Sequence, residues 1–315
     1  MKLKEFGRTG LQVSELGLGC ARIGGIFKND PGQFVELLAA ARDHGINFFD
    51  TADMYSQGES EALIGRAFRR RRDQVIIASK VGYCLPARRQ WIARVKPLVR
   101  PLIRLLGIKR ERLPRSVKGE IGQNFSPVYI RSAVEASLRR LKTEYLDVLQ
   151  LHSPPADVVA RGDWIEALES LKRAGKVRVY GVSCDTQEAA NSALGVDSVS
   201  SLQITISLLS QAFTASVLPR AHELCVAVIA RECLANGLLV KAERDVDQRF
   251  GELSEEAAAQ RRQELTRFRQ TAQARGIPLS RLALEYVTRL EGVSVALIGV
   301  SRLEQLLGTL REFDA

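Results

Sequence analysis

Four residues of this 315-residue chain are of the right types to do acid–base chemistry together: Asp50, Tyr55, Lys80 and His152. Asp50 closes the apolar run "NFFD" (47–50), and Tyr55 follows in a small, polar stretch. Lys80 closes "VIIASK" (75–80), and His152 closes "LDVLQLH" (146–152). A carboxylate buried at a strand end is costly unless it is paired. Lys80, at the end of the next strand-like run, has the charge to pair with it. An ammonium beside Tyr55 is expected to lower the phenol pKa below its usual value of about 10. A tyrosine tuned in this way can give a proton to a carbonyl oxygen near neutral pH. His152 could hydrogen-bond the same oxygen and orient the substrate. Each residue also has a plain structural use, as ion pair, loop anchor or satisfied buried histidine, because ion-pair networks shift pKa values without function. Four such residues on neighbouring strand ends favour the chemical reading.

The elements that must position them are short apolar runs alternating with helical patterns. Eight runs read as strands: 16–19, 47–50, 75–80, 146–152, 177–183, 202–207, 226–230 and 295–299. Most are almost continuously apolar, as parallel strands covered on both faces are. Between them the 3.6-residue period recurs. One helix runs from Pro31 towards Gly45, and another has Ser126 as N-cap and Pro127 at its first position. Ser60-Glu61 opens a further helix, "WIEALESLKRAGK" ends one at Gly175, and 254–275, 280–290 and 302–311 make three more. The count of eight and the length fit a closed (β/α)8 TIM barrel in a single domain, 1–315, whose chemistry sits at the C-terminal strand ends. A doubly wound open sheet is the alternative, but no G-x-G-x-x-G follows the first strand.

Composition narrows the class. No apolar run approaches the roughly 18 residues of a membrane span, and the start "MKLKEFGRTG" has no apolar signal core. A cytoplasmic protein is expected. The five cysteines are odd in number and lack C-x-x-C spacing, which argues against a disulfide framework or zinc ribbon. Cys20, Cys184 and Cys233 each lie near a strand end, but with three histidines and no ligand spacing no metal site is expected.

The net charge of +10 is concentrated in one place. Residues 88–118 hold eleven Lys or Arg against the single acid Glu111. They lie within a long basic insert after the third strand, about 83–125. Long loops at this rim are usually lids or binding loops. Three uses stay open: a cap on the substrate pocket, a solvated excursion, or contact with a membrane surface or acidic protein. Trp91 is the one aromatic in the basic helical part, so nucleic acid is the least favoured partner.

The pattern D-x-A-x-x-Y (50–55), with "GESE", "IIASK" and "LDVLQLHSPP", closely resembles the aldo-keto reductase superfamily. The resemblance runs from "FGRTGLQVSELGLG" to "EQLLGTL", essentially the whole chain. It implies an N-terminal β-hairpin closing the barrel bottom and a catalytic tetrad of Asp50, Tyr55, Lys80 and His152, with Tyr55 as general acid/base. It also implies a nicotinamide cofactor, NADP with NAD as the other candidate, and a small carbonyl or alcohol substrate.

The cofactor positions it implies are Ser183, Cys184, Gln203, Arg231, Leu234, Gly299, Ser301, Arg302 and Gln305. Some depart from the family's pattern. The usual Ser-Asn reads Ser183-Cys184, "YSPL" reads Arg231-Glu232-Cys233-Leu234, and the Glu-Asn contact to adenine reads Gly308-Thr309. The leading function is NAD(P)H-dependent reduction of an aldehyde or ketone. The alternatives are an NAD-dependent alcohol or sugar dehydrogenase and a nucleotide-binding regulatory subunit with vestigial turnover.

Overall fold

The computed structural model describes residues 1–24, 30–84, 122–240 and 254–314. Eight parallel strands close into a barrel: β3 (Leu16–Gly19), β4 (Phe48–Asp50), β5 (Ile76–Val81), β8 (Leu146–His152), β9 (Val177–Ser183), β10 (Ser201–Thr205), β11 (Ala227–Arg231) and β12 (Val293–Ile298). β12 pairs with β3, and that pairing closes the ring. All eight correspond to the runs read from sequence, with ends shifted by a residue or two.

The hairpin β1 (Leu3–Glu5) and β2 (Gln12–Ser14) closes one end. Phe6, Leu11 and Val13 pack with Phe48, Ala78, Val148, Val179, Ala227, Ile229, Val295 and Leu297 in one buried cluster inside the barrel. Successive residues of a strand face opposite sides. Two residues on from Phe48 is Asp50, and two on from Ala78 is Lys80. Two on from Ile229 is Arg231, and four on from Val148 and Val179 are His152 and Ser183. The alternation that fills the lower barrel with apolar side chains therefore places these polar ones inside its upper rim.

Helices cover the outside. The long polar one, Glu255–Ala274, buries only Ala258, Leu265 and Ala272. That seven-residue spacing is one narrow stripe, which explains why so polar a sequence still docks. Helices Ala156–Arg161, Gln187–Leu194 and Val217–Glu223 are too short for sequence periodicity to single them out.

The basic insert lies mostly at 85–121, outside the described residues. Its two flanks form an antiparallel ribbon, β6 (Tyr83–Cys84) with β7 (Gly122–Gln123). No described helix is long and apolar enough to cross a membrane.

Candidate active site

The opening Asp50–Lys80 pairing is present. Lys80 is fully buried, and its Nζ donates to Asp50 Oδ2 at 2.6 Å, Asp50 Oδ1 at 2.8 Å and the Thr51 carbonyl at 2.9 Å. Its fourth neighbour is the Tyr55 hydroxyl at 3.4 Å. The three short contacts match the three protons of an ammonium, which accepts no hydrogen bond, so the phenol's own proton points to another acceptor. Burial opposes the Lys80 charge, but the Asp50 charge, Tyr55 and their hydrogen bonds outweigh it and raise its pKa.

The loop that carries Tyr55 is tied to β5. Thr51 N donates to Ala78 O at 2.8 Å and Asp53 N to Lys80 O at 3.1 Å. Tyr55 opens a tight turn, Tyr55–Gly58, in which Ser56 and Gln57 adopt left-handed φ angles of 51° and 60°. Backbone strain of this kind clusters at functional sites.

The phenol departs from expectation. Burial raises the Tyr55 pKa more than the Lys80 charge lowers it, and the net shift is upward. Tyr55 is therefore the protonated, acid form throughout the neutral range. His152 is shifted the other way, down to about 2, by burial and then by the Lys80 and Arg231 charges. It is a neutral imidazole, with Nδ1 buried and without a hydrogen-bond partner among the described residues. Its ring meets Tyr55 edge-on at 5.8 Å and Tyr83 edge-on at 4.7 Å between centroids.

A cavity of about 520 Å³ opens from Asp50 and Tyr55 over the rim. Its lining includes Gln203, Arg231, Leu234, Gly299, Gln305, Gly308 and Thr309. Ser183, Cys184, Ser301 and Arg302 do not line it. Gln203 Nε2 donates to Asp50 Oδ1 at 2.8 Å, and Ser183 Oγ lies 3.5 Å from Gln203 Oε1. The Cys184 thiol is buried and turns back on the Val182 carbonyl, at 3.8 Å. Ser301 reaches Gln305 Oε1 through its backbone N and its hydroxyl, at 3.1 and 3.3 Å, while Arg302 is exposed. Arg231 donates to Asp185 at 2.5 Å and Glu232 at 3.1 Å.

A model of the Aldo/keto reductase family matches residues 15–315. The chain belongs to the aldo/keto reductase family. It is 32% identical over 323 residues to aldo-keto reductase AFTS1 of Alternaria alternata, covering 96% of this chain and 85% of the relative. The solved aldo-keto reductase AKR11C1 from Bacillus halodurans, holo form, superposes with a TM-score of 0.76 at 28% identity, covering 100% of this chain and 91% of that one. An aldo/keto reductase from Klebsiella pneumoniae, solved with NADP and acetate, gives a TM-score of 0.69 at 25% identity, covering 99% and 90%.

Behind this reductase's Lys80 lies a second carboxylate layer that sequence reasoning missed. Glu61 is fully buried and accepts from Ser79 Oγ at 2.6 Å and Arg140 Nε at 2.6 Å. Asp53 Oδ1 is buried without a partner among the described residues. Burial, then the Glu61 charge, pushes the Asp53 carboxyl up to about 7, against Arg140, the Met54 amide and Lys80.

The folded chain therefore binds more protons at Asp53 than the unfolded chain between pH 4 and pH 7. Stability from this group is fully present below about 4 and falls as pH rises through about 7. Asp53→Asn is expected to match wild type near pH 4. It should gain on the order of 4 kcal/mol over wild type by pH 8, since each pKa unit is worth about 1.4 kcal/mol. Denaturant titrations at the two pH values check this, and a gap that does not widen with pH contradicts it. The signal available in sequence was the acid Glu61 inside a helical pattern, with Arg140 near the end of another.

Proposed function

We propose that this protein is an NADP(H)-dependent carbonyl reductase, with Tyr55 as the general acid and Asp50, Lys80 and His152 completing the tetrad. The observation that carries the reading is the protonated phenol beside a buried, ion-paired ammonium at the mouth of the cavity. The bound nicotinamide cofactor supplies the hydride. Tyr55 Oη hands its proton to the carbonyl oxygen as charge develops there. The phenolate left behind sits 3.4 Å from Lys80 Nζ, which stabilises it, while Asp50 holds that ammonium in place. Neutral His152 is a donor on one ring nitrogen and orients the same oxygen without adding a charge. Alcohol oxidation needs the phenolate at the outset, so a raised phenol pKa suits reduction at neutral pH and moves the reverse reaction to alkaline pH.

The cavity fits a nucleotide. A Cβ built on Gly299 or Gly308 meets nothing within 4 Å, so the cradle is open at both. Arg231 Nε is buried without a partner among the described residues. Gln203 and Arg231 would face the nicotinamide half, and Gly299, Gln305, Gly308 and Thr309 the other half. The NADP complex of the similar Klebsiella enzyme supports this choice of nucleotide.

The 2′-phosphate has a site to hand. Val300 and Gln305 line the cavity on either side of Ser301 and Arg302 in sequence, and the helix Leu303–Asp314 begins there. Helix N-terminal amides favour an anion, and a guanidinium makes paired bonds to it. Arg302→Ala is expected to weaken NADPH by about 1.5–3 kcal/mol, the range for hydrogen bonds to charged groups, and to leave NADH nearly unchanged. Fluorescence-quenching titrations with both nucleotides, followed by turnover on a broad aldehyde panel, test the reading. Equal weakening of both removes Arg302 from phosphate recognition. Tight binding with no turnover on any carbonyl removes the reductase itself.

A further inference from the structure

The imidazole of His152 has no polar anchor among the described residues, yet its proposed role requires a fixed ring. Its Nδ1 has no hydrogen-bond partner, and rotation about the last side-chain bond of histidine is soft. Two aromatic edges hold it instead, Tyr55 on one side and Tyr83 on the other, with interplanar angles of 83° and 82°. Tyr83 is the closer, at 4.7 Å against 5.8 Å.

Tyr83 is itself held from three directions. Its strand partner in the ribbon is Gln123. Its carbonyl accepts from the Tyr129 hydroxyl at 3.0 Å. Before it, Gly82 has φ +139°, and a Cβ there would lie 2.2 Å from the Phe125 ring, so the ribbon begins on a turn only glycine suits. The same ribbon grips the histidine's backbone. Gln123 Nε2 donates to the His152 carbonyl at 3.2 Å and to the Ser153 carbonyl at 2.9 Å. Ser153 has a left-handed φ of 52°, so the chain turns sharply where the amide clamps it. One two-stranded ribbon thus fixes both the ring and the main chain of one residue of the tetrad.

We propose that Tyr83 and Gln123 are positioning residues for His152: the Tyr83 ring sets the imidazole plane and the Gln123 amide sets the strand end that carries it. The inference rests on the tetrad reading of His152. It also gives the ribbon that flanks residues 85–121 a route to the chemistry, through His152. What is required of position 83 is an aromatic ring, because Tyr83 meets His152 ring against ring at 82°. What is required of position 123 is the amide donor, because both acceptors are carbonyl oxygens.

Steady-state kinetics of Tyr83→Leu, Tyr83→Phe, Gln123→Leu and His152→Gln, alone and combined with His152→Gln, test this with NADPH and the best aldehyde substrate. Misplacing a reacting group by about 1 Å can cost on the order of 100-fold. Tyr83→Leu and Gln123→Leu are therefore expected to lower kcat by about 10–100-fold, with NADPH Kd within about 2-fold of wild type. Tyr83→Phe keeps the ring and is expected to restore kcat to within about 3-fold of wild type. In the His152→Gln background the same substitutions should change kcat by less than about 2-fold, because groups acting through one residue are not additive.

Losses that add in full on top of His152→Gln would overturn the proposal, as would a Tyr83→Leu effect confined to KM, which would make Tyr83 a substrate wall. Wild-type kcat in His152→Gln would sink both the positioning role and the role of His152. A loss in His152→Gln with none in Tyr83→Leu or Gln123→Leu would sink the positioning role alone. Should Tyr83→Leu fail to fold, Gln123→Leu carries the same comparison, because it removes only an exposed side chain.

Discussion

Tyr55→Phe is expected to lower kcat for carbonyl reduction by about 10²–10⁴, the usual contribution of one positioned acid or base. The variant removes a single oxygen. The ring stays, so its edge contact with His152 at 5.8 Å and its place 5.0 Å from Lys80 Nζ are retained. Lys80 keeps its three short acceptors, since the phenol is the longest of its four contacts. Fold and NADPH affinity are thus expected to be unchanged, and the loss should appear in kcat rather than in Kd. Thermal unfolding and a nucleotide titration run beside the kinetics separate these effects. A variant that retains wild-type turnover would remove Tyr55 from the acid's role.

Lys80→Met should cost both stability and activity, for one reason. It leaves Asp50, 4% exposed, without the charge that compensates it. Breaking a buried pair by removing one partner typically destabilises by about 3–5 kcal/mol. The Gln203 amide, donating to Asp50 Oδ1 at 2.8 Å, remains but carries no charge. Adding Asp50→Asn removes the orphaned carboxylate, so the double variant is expected to regain most of the lost stability. It should not regain activity, because no ammonium then stands beside the phenolate. Denaturant titration of both single variants and the double variant gives the coupling directly. Stability losses that simply add would show that the pair is not the unit described here.

The grouping of Asp50, Tyr55, Lys80 and His152 at one rim was legible in the sequence because three of the four are fixed by local pattern. Asp50, Lys80 and His152 end apolar runs, and the alternation of a strand decides which way they face. The eight-strand ring was legible from its apolar runs, whereas the N-terminal hairpin came only from the family resemblance, because its two strands are three residues each. The sign of the phenol shift was not legible. It depends on how much burial weighs against one nearby charge, and burial is a property of the assembled rim.

The expected cofactor positions divide along similar lines. Gln203, Arg231, Leu234, Gly299 and Gln305 line the cavity. The Cys184 thiol turns back toward its own strand, and no spacing rule could show that. Gln203 spends its amide on Asp50, a contact across 153 positions that only the closed barrel creates. Tyr83 and Gln123 were hidden by their surroundings. They bracket a segment whose charge dominates any reading of it, and their partners in space are not their neighbours in sequence. Glu61 and Arg140 were missed because a buried acid inside a helix has the same local pattern as an exposed one.

In the proposed reaction Tyr55 gives a proton to a carbonyl oxygen as hydride reaches the carbon. The measurement that meets it most directly is a single-turnover reaction of an aldehyde with NADPH carrying deuterium at the transferred position, in wild type and Tyr55→Phe, with the product alcohol analysed by mass. Wild type is expected to give one deuterium on the alcohol carbon per nucleotide oxidised. Tyr55→Phe should bind the same nucleotide and form that product about 10²–10⁴ times more slowly. Alcohol without label, or labelled alcohol formed at equal rates by both proteins, would contradict the account.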